Sequence, residues 1–130
     1  MNDQFISNLN SINGSKVNEL KNEDSSVELF LSNGADISAG YWRLIKPDGA
    51  RFSSFDHDQQ YGLKVPFNAI EELTKLILGQ RVQKLSFDKK TGDLEMSFEN
   101  SSTLQIFNFT ANEAWEINFS DGTGQYSNYI

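Results

Sequence analysis

A chain of 130 residues with eighteen acidic and eleven basic side chains, and so a formal charge of -7, is long enough for one hydrophobic core and too acidic to bind a phosphate backbone by counterion release. It has no cysteine, which excludes disulfides and thiol chemistry and fits a reducing compartment. Ten Phe, four Tyr and two Trp supply large buried areas, so a core without covalent staples is feasible.

Met1-Asn2-Asp3-Gln4 carries neither the basic nor the apolar segment of a secretion signal, and the most apolar run, Leu73 to Leu78, is short and broken by Lys75. A cytoplasmic protein without a membrane span is expected. The first element is a short helix with Asp3 as cap, Phe5, Leu9 and Ile12 as one apolar stripe, and Gly14 as stop. Val27, Leu29 and Leu31 then alternate with Glu28, Phe30 and Ser32, the period of a strand wet on one side, which puts Phe30 on the wet face. Asn33-Gly34 and Asp48-Gly49 are turn signals on either side of a strand containing Trp42 and Leu44. After a connector over about 50–67, Asn68 and Glu71 have the spacing of a capping box, and Ile70, Leu73 and Ile77 form a second stripe ending at Gly79. Leu94, Met96 and Phe98 alternate with Glu95, Ser97 and Glu99, and Trp115, Ile117 and Phe119 make a further strand before Asp121-Gly122.

These elements recur. Gly14-Ser15-Lys16-Val17-Asn18-Glu19-Leu20 matches Gly79-Gln80-Arg81-Val82-Gln83-Lys84-Leu85, the strand of Val27 matches that of Leu94, Trp42 and Leu44 match Trp115 and Ile117, and Asp48-Gly49 matches Asp121-Gly122. Two copies are too few for a solenoid, so the expectation is an α+β fold in which two pseudo-symmetric helix-plus-antiparallel-strand units form one domain over 1–130. The first unit covers about 3–49 and the second about 68–130. Each reads as one helix and four strands, and the connector has little counterpart in the second copy.

No motif dictates a chemistry. His57 is the only histidine, and its neighbours Asp56 and Asp58 cannot easily converge on one ion, so neither a metal nor another cofactor is expected. No Gly-x-Ser-x-Gly elbow occurs, and Gly122-Thr123-Gly124 lacks the rest of a phosphate loop. Glu95 with Glu99 and Glu113 with Glu116 are carboxylate pairs, but glycoside hydrolysis needs one of them perturbed in a cleft. Sequons at Asn13, Asn100, Asn108 and Asn118 fit an Asn- and Ser-rich composition as well as they fit glycosylation. Beyond Lys90 there is no Lys or Arg, which leaves Glu95, Glu99, Glu113 and Glu116 as a candidate surface for a cationic partner. Phe55, Asp56, Asp58 and Tyr61 of the connector combine aromatic and acidic groups and form the other candidate partner-binding site.

Asp93-Leu94-Glu95-Met96-Ser97-Phe98-Glu99-Asn100, Leu104-Gln105-Ile106, Trp115-Glu116-Ile117 and Asp121-Gly122 resemble a pattern of small acidic bacterial proteins, the immunity partners of polymorphic or contact-dependent growth-inhibition toxins. The resemblance covers the second half directly and the first through the repeat. It implies a non-enzymatic cytoplasmic inhibitor that binds a toxin domain, such as a basic nuclease, and occludes its active site; nucleic acid and membranes are not implied as partners. The alternative is a ligand-binding or enzymatic domain with a pocket between the units.

Overall fold

The computed structural model describes residues 3–127. The first half contains α1 (Asp3–Asn10), β1 (Val17–Glu23), β2 (Ser26–Leu31), β3 (Asp36–Ala39), β4 (Trp42–Ile45) and β5 (Arg51–Ser53), followed by a single 3-10 turn over Ser54–Asp56. The second contains α2 (Ala69–Ile77), β6 (Val82–Phe87), β7 (Leu94–Phe98), β8 (Thr103–Ile106), β9 (Trp115–Asn118) and β10 (Gly124–Tyr126). All strand pairs are antiparallel, so the fold is α+β, with one sheet ordered β1-β2-β3-β9-β10 and another ordered β5-β4-β8-β7-β6.

The two halves interleave in the sheets. Three strands of each half are completed by the last hairpin of the other: β9 pairs with β3, and β4 pairs with β8. The connector also begins later than expected, because β5 lies within 50–67 and occupies the sheet position that β10 occupies in the first sheet. Ser54, directly after β5, accepts from the Trp42 N–H at 3.2 Å, and Ser127, directly after β10, accepts from the Trp115 N–H at 3.2 Å.

Where the halves meet, Lys16 and Arg81 form an antiparallel bridge. The Gly14 N–H donates to the Val82 carbonyl (2.7 Å) and the Gly79 N–H to the Val17 carbonyl (2.8 Å), while Val17 donates to Gln80 and Val82 to Ser15. The first strands of the two sheets are thereby joined at their starts, and the sheet faces share one core.

That core contains Leu29, Ile37, Trp42 and Leu44 with Leu94, Met96, Trp115 and Ile117, all essentially inaccessible. Each indole N–H is satisfied by a backbone carbonyl, Trp42 by Ser25 at 2.8 Å and Trp115 by Gly92 at 2.9 Å, so both rings are buried without an orphaned donor. The helices seat their stripes as expected. Phe5 of α1 stacks on Trp115 and meets Phe87 edge-on, and Ile70, Leu73 and Ile77 of α2 are buried. Their caps differ from expectation. Asp3 lies inside the first turn of α1. Asn68 does cap α2, accepting from the Glu71 N–H at 3.0 Å, but the Glu71 carboxylate pairs forward with Lys75 at 3.2 Å, so only half of the capping box forms.

Candidate functional site

The connector beyond β5 is an ordered loop. Asp56 Oδ2 accepts from the Ser53 N–H (2.8 Å), Asp56 Oδ1 accepts from the Tyr61 hydroxyl (2.8 Å), and this bond holds the Tyr61 phenol above its ordinary pKa of 10.0. Further on, Asp58 donates its N–H to the Phe67 carbonyl and Phe67 donates to Gln59, both at 2.8 Å, which closes the loop at its base. His57 Nδ1 accepts from the Ala69 N–H at 3.1 Å, tying the loop to the first turn of α2; this leaves Nε2 to carry the proton of the neutral ring. Asp58 and Tyr61 sit at φ 64° and 44°, a conformation that non-glycine residues adopt at a cost and that the surrounding bonds enforce.

This scaffold holds apolar side chains in water. Phe55 is 79% exposed, Val65 69%, Tyr61 63% and Leu63 48%. Four large, largely apolar side chains within eleven residues of chain are thus exposed, a concentration that scattered single residues elsewhere do not match. Of the four connector residues anticipated from sequence, Phe55 and Tyr61 present their rings outward and Asp58 is exposed, whereas both Asp56 oxygens are spent on building the loop. Leu63 and Val65 were missed because their exposure depends on the loop's path, which local composition does not encode. Behind Val65 a shallow groove of about 360 Å³ runs past Pro66 and Phe67 to Glu71 and Glu72 on α2.

The four glutamates beyond Lys90 do not form one face. Glu95 lies on β7, with Glu99 in the turn that follows, in the second sheet; Glu116 lies on β9, preceded by Glu113, in the first. What joins Glu116 instead are acids of the first half. Across the wet face of the first sheet, Glu28 is opposite Ser38 and Ser38 is opposite Glu116, while Asp36 lies between Phe30 and Asn118. The Glu28 carboxyl is raised above its ordinary value by partial burial first and by Asp36 next, with Glu116 and Glu19 adding to the shift and Lys21 opposing it. Two shallow grooves of about 430 and 390 Å³ meet on this face and share Ser26, Val27 and Ser38, with Glu28 on one side and Glu113, Glu116 and Tyr41 on the other. The sequence signal for this convergence was present in the alternation of β2, but the exchange of hairpins that brings β9 beside β3 was not.

Among the described residues there is no group of three or more His, Cys, Asp or Glu side chains able to hold a metal ion, and no helix long and apolar enough to cross a membrane. Comparison with protein-family models, with curated proteins and with solved structures returned no match.

Proposed function

We propose that the chain is a non-enzymatic immunity protein, which binds one toxin domain in the cytoplasm and covers that toxin's active site. The observation that carries this reading is the connector loop, whose exposed Phe55, Tyr61, Leu63 and Val65 are mounted on a backbone already fixed by hydrogen bonds. Ordering a binding loop costs free energy at the moment of association, and a loop ordered beforehand avoids most of that cost. Aromatic rings with few rotatable bonds make effective anchors for the same reason. Exposed Asp58 adds an anionic group to the loop and supports a basic partner surface, as in the cleft of a nuclease, whereas Glu71 and Glu72 beyond it are paired with Lys75.

We propose further that the two halves are diverged copies of one unit. The equal strand order of the two sheets, the reciprocal bonds around Lys16 and Arg81, and the like roles of Ser54 and Ser127 support a common origin.

The functional reading is tested by expressing the product of the adjacent gene, which this reading expects to be toxic, with and without the chain. Growth should be restored, and Phe55→Ala with Val65→Ala should weaken the complex at least about tenfold while leaving the melting temperature nearly unchanged, since both side chains are exposed. Full protection by the double variant would remove the loop from the interface.

A further inference from the structure

His57 is the one histidine of the chain, and its ring links the exposed loop to α2. The side chain is only 12% exposed, and its Nδ1 accepts from the Ala69 N–H at 3.1 Å. Among the described residues no other hydrogen bond runs from residues 54–67 to α2. Ala69 is fully buried, so its N–H has no water to turn to if the ring leaves a closed loop. On its other side the ring faces a carboxylate: Nε2 lies 3.6 Å from Asp58 Oδ2, whose side chain is 75% exposed. The other charged groups of the loop and of the first turn of α2 are turned elsewhere. Asp56 is bonded to Ser53 and Tyr61, Glu71 and Glu72 pair with Lys75, and Lys64 lines the groove behind Val65.

We propose that His57 is a proton-operated clasp for this loop, holding it on α2 when the ring is neutral and releasing it when the ring is charged. The bond to Ala69 needs a bare Nδ1, which only the neutral ring has, since both nitrogens of an imidazolium are donors. A proton taken from solvent onto Nδ1 therefore sets two N–H groups against each other, at a helix N-terminus where the backbone dipoles also oppose a cation. The same charge draws Nε2 toward Asp58 as a charge-assisted donor. The two states of the ring thus have different partners, and the change takes it away from α2. Backbone strain acts in the same direction, because Asp58 and Tyr61 hold φ 64° and 44° in the closed loop and an open loop relaxes both. Imidazole changes charge between about pH 5 and 8, so the clasp opens on acidification. Once it is open, Phe55, Tyr61, Leu63 and Val65 lose the ordering that favours association, and a bound partner is released. The inference deepens the proposed function by naming a regulation of its binding loop, and its consequence for a partner rests on that reading.

The test is an NMR titration of the full chain from pH 7.5 to pH 5.0, following the His57 ring, the Ala69 amide and nitrogen relaxation in the loop. As the ring takes up its proton, the Ala69 amide should lose its hydrogen-bonded shift, and the order parameters of residues 58–66 should fall from about 0.85 to below about 0.6. His57→Asn puts an amide oxygen where Nδ1 lies and accepts at every pH, so its loop should stay ordered throughout. His57→Ala removes the acceptor and should leave the loop mobile at both ends of the range. A ring that titrates while Ala69 and the loop stay unmoved, a ring still neutral at pH 5.0, or an asparagine variant that loosens on the native profile would each overturn the proposal. The native titration needs no substitution, so it decides the matter even where a variant fails to fold. Because no toxin enters this assay, a working clasp without growth protection sinks the immunity reading alone, and protection by a loop indifferent to pH sinks this inference alone.

Discussion

Ser101 and Ser102 stand where the equivalent turn of the first half has Gly34 and Ala35, and both are worse suited to their places. In each turn an asparagine side chain accepts from the N–H two residues on, Asn33 from Ala35 and Asn100 from Ser102, both at 3.0 Å. Ser101 adopts φ 70°, where a side chain is strained, and the Ser102 hydroxyl is fully buried with no hydrogen-bond partner among the described residues. Ser101→Gly with Ser102→Ala copies the first turn into the second and should stabilise the protein by about 1–3 kcal/mol, read from urea unfolding. A loss of stability would show that the buried hydroxyl has a partner. Glu28 makes a pH-dependent case. Its carboxyl is raised in the folded state, so ionisation opposes folding: stability is full below the ordinary value near 4.5 and is lost as pH rises through the raised one. Glu28→Gln should therefore melt higher than the native chain at pH 7, with the gain vanishing once the pH falls below the carboxylate range. Residue identity alone made Asp56 look like a partner-binding acid, because nothing in Asp56-His57-Asp58 reveals that one carboxylate would turn inward to Ser53 and Tyr61.

Elements were the most legible level, since their physics is local. The stripes of Phe5, Leu9 and Ile12 and of Ile70, Leu73 and Ile77 are buried as their spacing predicts, and Val27, Leu29 and Leu31 alternate inward with Leu94, Met96 and Phe98. The turns at Asp48 and Asp121 also form as expected, each side chain accepting from the N–H two residues on at 2.9 Å. Short elements with few apolar residues were missed. Arg51–Ser53 and Gly124–Tyr126 have three residues each, too few for a period-2 pattern, and they become strands only because β4 and β9 supply a neighbouring edge. Strand partners were illegible for a related reason: alternation fixes which side of a strand is buried and says nothing about which strand lies beside it.

At the scale of the molecule, the exchange of hairpins makes each half depend on the other for two strands of its sheet. A fragment of residues 1–67 and one of residues 68–130 should each lack native near-ultraviolet circular dichroism and regain it when mixed, while the intact chain unfolds in a single transition. A half that folds alone as a monomer would contradict the exchange. The same architecture carries the exposed apolar side chains of the loop beyond β5, the surface proposed to meet a partner. Hydrogen exchange of the chain, free and mixed with the product of the adjacent gene, tests whether this surface serves a toxin partner. Protection should appear in residues 54–66, with the wet face around Glu95 unchanged. Absence of a complex, or protection confined to the second sheet, would contradict the proposed function.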